Sequence, residues 1–227
     1  MDETTKRAIQ YRHSVRSYLD RPIPEDLRAR LQEEIDRSNA ASGLHIQLVC
    51  DEPKAFSGMR ARYGRFQGPS NYFAMVGPKG PKLEETVGHE GERLVLLAQQ
   101  LGLNTCWVGM TFTKVPSAFS VARGEKLACV IALGYGATQG VPHKSRPLGE
   151  LYSVGDAGHE PPAWFMEGVS AAQLAPTAVN QQKFHFELVG SNMVRAATGA
   201  GFFANMDLGI AKLHFELGAG TDNFSWA

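Results

Sequence analysis

The chain has no surplus of charge of either sign, few cysteines and no long apolar run, and each shortage closes off a class of function. Its 23 basic and 23 acidic residues leave a formal net charge of +0, so no diffuse basic field argues for nucleic acid or an anionic membrane. Any anion site must be local. The three cysteines, Cys50, Cys106 and Cys129, are odd in number, far apart and set in apolar strand-like runs, which suits small buried hydrophobes rather than a disulfide framework or a zinc site. HExxH, CxxC and EF-hand patterns are missing, and His89 in GHEGE lacks a second histidine on its helix face, so no metal is expected. No segment reaches the apolar length that spans a bilayer, and the opening MDETTKRAIQ has no apolar centre of signal-peptide length; cytoplasmic residence is the expectation. No Ser/His/Asp or Cys/His nucleophile set can be assembled from spacing.

What is present is enough for a full core. A chain of 227 residues with 43% hydrophobic residues fits one large domain or two small ones. After a short helix-like start, PEDLRARLQEEI opens with Pro24 and two acids and places Leu27, Leu31 and Ile35 four apart, an amphipathic helix. A Ser/Asn/Gly break at Ser38 to Gly43 follows, then a β-type run from His45 to Cys50. The Arg60 to Arg65 stretch reads as a loop and Asn71 to Gly77 as a strand. From about Leu83 to Leu101 the apolar residues return at helical spacing and stop at Gly102, so much of that helix should be core. NTCWVGM and LACVIALGYG are apolar runs of strand length, of the kind buried on both faces of a helix-covered sheet. Ala137 to Glu150, rich in Gly, Pro and polar residues, reads as an ordered loop or linker. A similar order then recurs in shorter form. AWFMEGVSAAQL follows Pro161 and Pro162 as a helix, KFHFELVG alternates Phe184, Phe186 and Leu188 with polar residues, and Phe203, Met206, Ile210, Leu213 and Leu217 are helically spaced up to Gly218 and Gly220. Duplication and chance repetition of a common unit both remain open.

The most informative stretch is RHSVR, Arg12 to Arg16, read as a compact basic turn whose hydroxyl, imidazole and guanidinium donors suit an enclosed phosphate. A solvated surface turn is the competing explanation. GYGATQG, Gly134 to Gly140, follows a strand but has the wrong spacing for a dinucleotide loop, and Pro142 stands where a helix should begin.

Four segments together resemble the nitroreductase family of flavin enzymes, and its Thermotoga-type branch in particular. RHSVRSYLDRPIPEDL looks like the N-terminal signature, with Arg12, His13, Ser14 and Arg16 at positions that hold flavin phosphate and pyrimidine. GLNTCWVGM resembles the glycine-tryptophan-glycine strand beside the reactive flavin nitrogen, which points to Trp107, Val108 and Gly109. PHKSRPLGELY resembles the late basic segment, with Lys144 and Arg146 returning to the phosphate. APTAVNQQKF resembles the family's proline-serine turn, with Pro176, Thr177, Ala178, Asn180 and Gln182, threonine standing for the usual serine. That turn ordinarily comes early and is lent by a partner subunit. Here the early position holds RSNAASGLHIQLV and the turn comes late, as in a single chain that imitates a homodimer.

The resemblance implies an α+β nitroreductase-like fold: a mostly antiparallel central sheet surrounded by helices, with an internal pseudo-twofold. Residues 1–150 would form the first half with the phosphate site, and residues 151–227 an abbreviated second half completing the flavin site. It implies one FMN per chain, NADH or NADPH as co-substrate, and hydride passing through flavin N5 to an electron-poor acceptor such as a nitroaromatic or quinone, in a ping-pong cycle. Arg16, as a fixed cation near the reduced ring, and Gly109, as a backbone donor to N5, are the catalytic candidates. A surface salt bridge for Arg16, a plain strand end at Trp107 and Gly109, and ordinary turn chemistry for Asn180 and Gln182 stay open beside these roles. The partners implied are a small-molecule acceptor, with no nucleic acid and no membrane, and a monomer, with a homodimer as the alternative. Two other functions compete: a non-catalytic FMN-binding storage or sensor protein, and a scaffold that has lost flavin.

Overall fold

The computed structural model describes residues 1–155 and 160–227, which divide into two compact units. Among the described residues no helix is long and apolar enough to cross a membrane. The first unit comprises Tyr11–Leu83 and Arg93–Pro142. It carries helix α2 (Glu25–Ser42), strand β1 (Gln47–Val49), the short helix α3 (Met59–Tyr63), β2 (Asn71–Pro78), the second half of α4 (Leu83–Gln100), β3 (Asn104–Val108) and β4 (Glu125–Gly134). Its sheet runs β1-β2-β4-β3 and every pairing is antiparallel. β2 and β4 lie in the middle, so their apolar runs are buried on both faces, as continuous rather than alternating hydrophobic sequence requires. Tyr72, Ala74, Val76, Val130 and Ala132 share one face with Val15, Phe56, Phe66 and Phe112.

Two expectations about this unit change. The Ser38 to Gly43 stretch is the last turn of α2 rather than a break. The Ser42 hydroxyl donates back to the Ser38 carbonyl at 2.6 Å, and Gly43 takes the left-handed conformation, φ +71°, that ends the helix. Asn39 then receives the chain, its amide bonding the Ile46 N–H at 2.8 Å and carbonyl at 3.0 Å. The Arg60 to Arg65 loop is largely α3, held to the core through the fully buried Ala61.

The second unit comprises Met1–Gln10, Glu84–Glu92 and His143–Ala227. It holds most of α1 (Glu3–Tyr11), the first half of α4, β5 (Tyr152–Val154), α5 (Ala163–Ala172), β6 (Phe184–Val189), β7 (Met193–Thr198), α6 (Ala204–Ala219) and β8 (Ser225–Trp226). Its sheet, β5-β6-β7-β8, is mixed: the outer pairs are parallel and β6–β7 antiparallel. A single central sheet is therefore replaced by two four-stranded sheets of different topology among the described residues. β7 is the strand that the pattern hides, because Ala196 and Ala197 blur its alternation. The expected alternation of β6 holds, with Phe184, Phe186 and Leu188 buried and His185 and Glu187 on the other face. Phe186 stacks on Phe215 of α6 at 4.6 Å between ring centroids.

Glycines set the helix spacing in this unit. A Cβ at Gly209 of α6 would strike the Glu85 carbonyl of α4 and lie 2.9 Å from the His89 nitrogen, and one at Gly88 would strike the Met206 carbonyl. Backbone therefore meets backbone where the two helices cross. One turn further on, His214 and Glu92 are both fully buried and bonded at 3.0 Å, while His214 Nδ1 lies 3.1 Å from the Ala171 carbonyl of α5. A carbonyl only accepts, so Nδ1 carries a proton and Nε2 faces the carboxyl group. Gly209→Ala is expected to destabilise the protein by about 2 kcal/mol or more, since neither opposing atom is a flexible side-chain end. Gly149, which has open space around it, supplies the control: Gly149→Ala should stay within roughly 0.5 kcal/mol of wild type in urea denaturation.

Candidate functional site

In the first unit the Arg12 to Arg16 segment is extended rather than a compact turn, because its backbone is laced to three neighbours. Ser14 bridges Thr105 of β3, and the Val15 N–H donates to the Thr105 carbonyl at 3.0 Å. The Gln67 N–H donates to the Arg16 carbonyl at 2.9 Å, and the Ala137 N–H donates to the Ser17 carbonyl at 2.9 Å. Val15 is driven into the core beside Cys106 and Val108. In extended chain Arg12, Ser14 and Arg16 alternate away from it; Arg12 is buried and the other two are exposed. Burial pushes the Cys106 thiol up, against the Arg16 charge, a Ser14 hydrogen bond and the Arg12 charge. All three thus bear on Cys106 of β3, and the two guanidiniums raise the local potential there on a chain with no net charge.

The glycine-rich stretch after β4 backs this segment. A Cβ on Gly140, at φ +72°, would lie 2.7 Å from His13 Cβ, and one on Gly136 would lie 2.7 Å from Asn104 Oδ1 and 2.9 Å from Val15 Cγ1. Asn104, buried at the start of β3, accepts the Gly136 N–H at 2.9 Å and donates to Gln139 at 3.1 Å. Gly136, Gly140 and Asn104 are supporting residues the sequence reading passes over. The hidden signal was glycine spacing, which reflects close packing against Val15 rather than phosphate binding. Trp107 is half-buried, Val108 buried and Gly109 half-buried just past the end of β3, the edge strand of its sheet. Gly109 has no Cβ to stand over its backbone.

In the second unit the two late segments form one hydrogen-bonded body. The Gln182 side chain, 2% exposed, accepts the Arg146 N–H at 2.9 Å and donates to the Lys144 carbonyl and to Asn180 Oδ1, each at 2.8 Å. Asn180 donates to the same Lys144 carbonyl at 2.9 Å. The Gln182 N–H donates to the Thr177 hydroxyl at 3.1 Å, so threonine keeps the acceptor that serine would supply. Both amide hydrogens of Gln182 are committed inside the turn, which makes it a positioning residue. Pro176 and Ala178 are half-buried at the turn's start, and the Ala178 N–H donates to Asp207 at 2.9 Å.

This body holds backbone strain. Val179, Asn180 and Gln182 have φ of +47°, +56° and +44°, a region costly for side chains bearing a Cβ and most costly for β-branched valine. Asp207, in the first turn of α6, holds the turn down through Ala178 and through Gln181 at 2.6 Å. Burial pushes the Asp207 carboxyl up to about 6, against the hydrogen bonds from Gln181 and Ala178. Asp207 and Gln181 are the second set that the sequence reading misses.

The donor set fits a phosphorylated flavin in kind. Ser14 and Arg16 are exposed on the first unit. On the second, the Lys144 side chain is exposed with no ion pair among the described residues, while Arg146 is paired with Glu150 at 2.6 Å and donates to the Gln182 carbonyl at 3.2 Å. An exposed i,i+4 pair contributes about 0 to 1 kcal/mol, whereas a guanidinium–phosphate contact is charge-assisted and worth about 1.5 to 3.

Two outcomes are expected at the turn. Val179 is 92% exposed and buries nothing, so Val179→Gly should raise stability by about 1 kcal/mol in urea denaturation. The folded state holds the Asp207 proton more tightly than the unfolded chain, so stability falls as pH rises from about 4 to about 6 and is level above. Asp207→Asn should remove that slope, of order 2 kcal/mol, in melting temperatures compared across the same window.

Residues 4–219 match the family described as "Putative TM nitroreductase". A crystal structure of a putative nitroreductase from Thermotoga maritima is similar over 97% of this chain and 85% of that one, with 23% identity and a TM-score of 0.67. A putative nitroreductase in complex with FMN from Desulfovibrio desulfuricans matches 66% of this chain and 95% of its own, at 18% identity and TM-score 0.52. The NfrA1 nitroreductase from B. subtilis matches 64% of this chain and 72% of its own, at 14% identity and TM-score 0.52. No curated protein matches. These likenesses establish a nitroreductase-like α+β fold, and by the match across nearly its whole length the chain belongs to the Thermotoga-type nitroreductase family.

Proposed function

We propose that the chain is an FMN-dependent oxidoreductase that draws on NADH or NADPH and reduces an electron-poor acceptor such as a nitroaromatic or a quinone. Family membership supports the flavin. The observation that carries the reading is that Arg12, Ser14 and Arg16 lie on a segment bridged to β3 at Ser14 and all bear on Cys106 of that strand, which ends just before Gly109. Bound FMN would supply two-electron hydride chemistry. The chain's own residues bind and orient. Arg12, His13, Ser14, Lys144 and Arg146 serve the phosphate and pyrimidine side, and Trp107, Val108 and Gly109 serve the ring. Pro176, Thr177, Ala178 and Asn180 form the turn that Gln182 holds in place. Arg16 would offer positive charge on the side where reduction leaves negative charge.

Purified protein supplied with FMN should turn yellow, hold one flavin per chain as a monomer, and oxidise NADH or NADPH when a quinone or nitroaromatic is added. Unchanged NADH and NADPH absorbance in the flavin-loaded protein would assign it to storage or sensing instead. Arg12→Ala should weaken FMN binding roughly 10- to 100-fold, the loss expected for one charge-assisted contact. Because Arg12 is buried, Arg12→Lys and a thermal melt accompany it. Wild-type flavin content in a folded Arg12→Ala protein defeats the phosphate assignment.

A further inference from the structure

The first unit carries a basic, aromatic arm for which the flavin assignments have no use. Residues 53–67 are fixed to the core from beneath by Ala55, Phe56, Ala61 and Phe66, with the Phe56 and Phe66 rings 5.2 Å apart. One end of the arm is paired to the Arg16 backbone through Gln67. Its middle touches the loop that leaves β3: the Thr113 N–H donates to the Ala55 carbonyl at 2.8 Å, and a Cβ on Gly64 would lie 2.6 Å from the Thr111 hydroxyl. The arm is therefore a rigid neighbour of both the Arg16 segment and the Gly109 turn.

Its outer surface is unusual in two ways. Met59 and Tyr63, one helical turn apart on α3, are 84% and 87% exposed, and Met110 on the adjoining loop is also exposed. Isolated exposed apolar residues need no explanation, but a tyrosine and two methionines are exposed together on segments that touch. Arg60, Arg62 and Arg65 are all exposed, and among the described residues no carboxylate pairs with any of them. Other arginines of the chain do have carboxylate partners: Arg28 pairs with Asp51, Arg37 with Glu33 and Glu34, and Arg195 with Glu187. Arg65 also takes φ +60° although Gly64 beside it does not. Left-handed backbone at an arginine costs about 1 to 2 kcal/mol, and such strain gathers where a side chain must be aimed.

We propose that this arm binds an aromatic anion, the tyrosine and thioether groups covering its ring and the three guanidiniums its charge. The proposal rests on the oxidoreductase reading for the ligand's role, as either an anionic acceptor or the phosphate-bearing adenosine end of the reductant. Carboxylate and phosphate present the same planar or tetrahedral oxygens to an arginine fork, so one surface chemistry serves both.

Calorimetric titration separates the two sources without any turnover. 4-Nitrobenzoate is compared with 4-nitrobenzamide, and adenosine 2′,5′-bisphosphate with adenosine, on wild type, on the R60A/R62A/R65A variant and on the R60K/R62K/R65K variant. Wild type should prefer the charged member of at least one pair by about tenfold or more. The alanine variant should bring that preference to within about twofold, and the lysine variant should keep part of it. The pair that responds identifies the source. No preference in wild type, or a preference that survives in the folded alanine variant, overturns the proposal. Flavin content is read on the same samples: a colourless protein that still prefers the anion sinks the oxidoreductase reading and leaves the arm's assignment standing.

Discussion

The second unit depends on two helices meeting without side chains. Gly88 and Gly209 let α4 and α6 approach until carbonyl groups face Cα atoms, a distance no other residue permits. That contact sets the depth of α6, and two consequences follow along its length. Asp207, two residues before Gly209, is placed to take the Ala178 and Gln181 hydrogen bonds, so the strained turn is held by a helix whose own position is fixed by backbone packing. Further along, His214 is closed off from water against Glu92 and the Ala171 carbonyl. A buried pair of this kind contributes little net stability, yet removing one member leaves a costly unpaired group, so it penalises any other register of α5, α6 and α4. Glycine contact and polar pair thus specify the same arrangement by different means.

The two sets of candidate flavin residues are built on different physics. In the first unit the Arg12 to Arg16 segment is positioned by backbone hydrogen bonds and by glycines at its back. In the second, side chains do the positioning. Gln182 spends its amide on Lys144, Arg146 and Asn180, so three residues that resemble flavin contacts hold one another. A substitution at Ser14 therefore changes one exposed side chain, whereas one at Gln182 moves several residues together.

This difference explains what was legible in the sequence. Helices α2, α4, α5 and α6 declare themselves because their apolar residues recur at helical spacing, and β2 and β4 because strands buried on both faces are almost wholly apolar. The motif segments around Arg12, Trp107, Lys144 and Asn180 are readable because their chemistry is local. What could not be read is set by distant partners. RHSVR is turn-like in composition but extended in fact, since Thr105 and Gln67 supply its hydrogen bonds. β7 is visible only through β6, which it pairs with after the turn at Gly190. Asp207 sits inside an apolar helix, where composition gives no reason to expect a polar anchor 29 residues from Ala178. The division into two sheets likewise depends on which strands find each other, and local pattern says nothing of that.

Backbone strain follows the same division. Six described residues other than glycine have positive φ: Asp51, Arg65, Val179, Asn180, Gln182 and Phe203. If these conformations were tolerated by accident, they would fall on residues that adopt them cheaply, and only Asp51 and Asn180 are of that kind. Three of the six occupy the late turn, and Phe203 begins the helix whose Asp207 ties that turn down, with the Asp207 N–H donating to the Phe203 carbonyl at 2.9 Å. Such a turn persists only because its surroundings over-determine it, through Gln182 on one side and Asp207 on the other. Glycine at Val179 would relieve the cost but would also return freedom to the loop. A pre-set turn loses less entropy when a ligand arrives than a loose one does, so the strain is spent in the folded state rather than at binding.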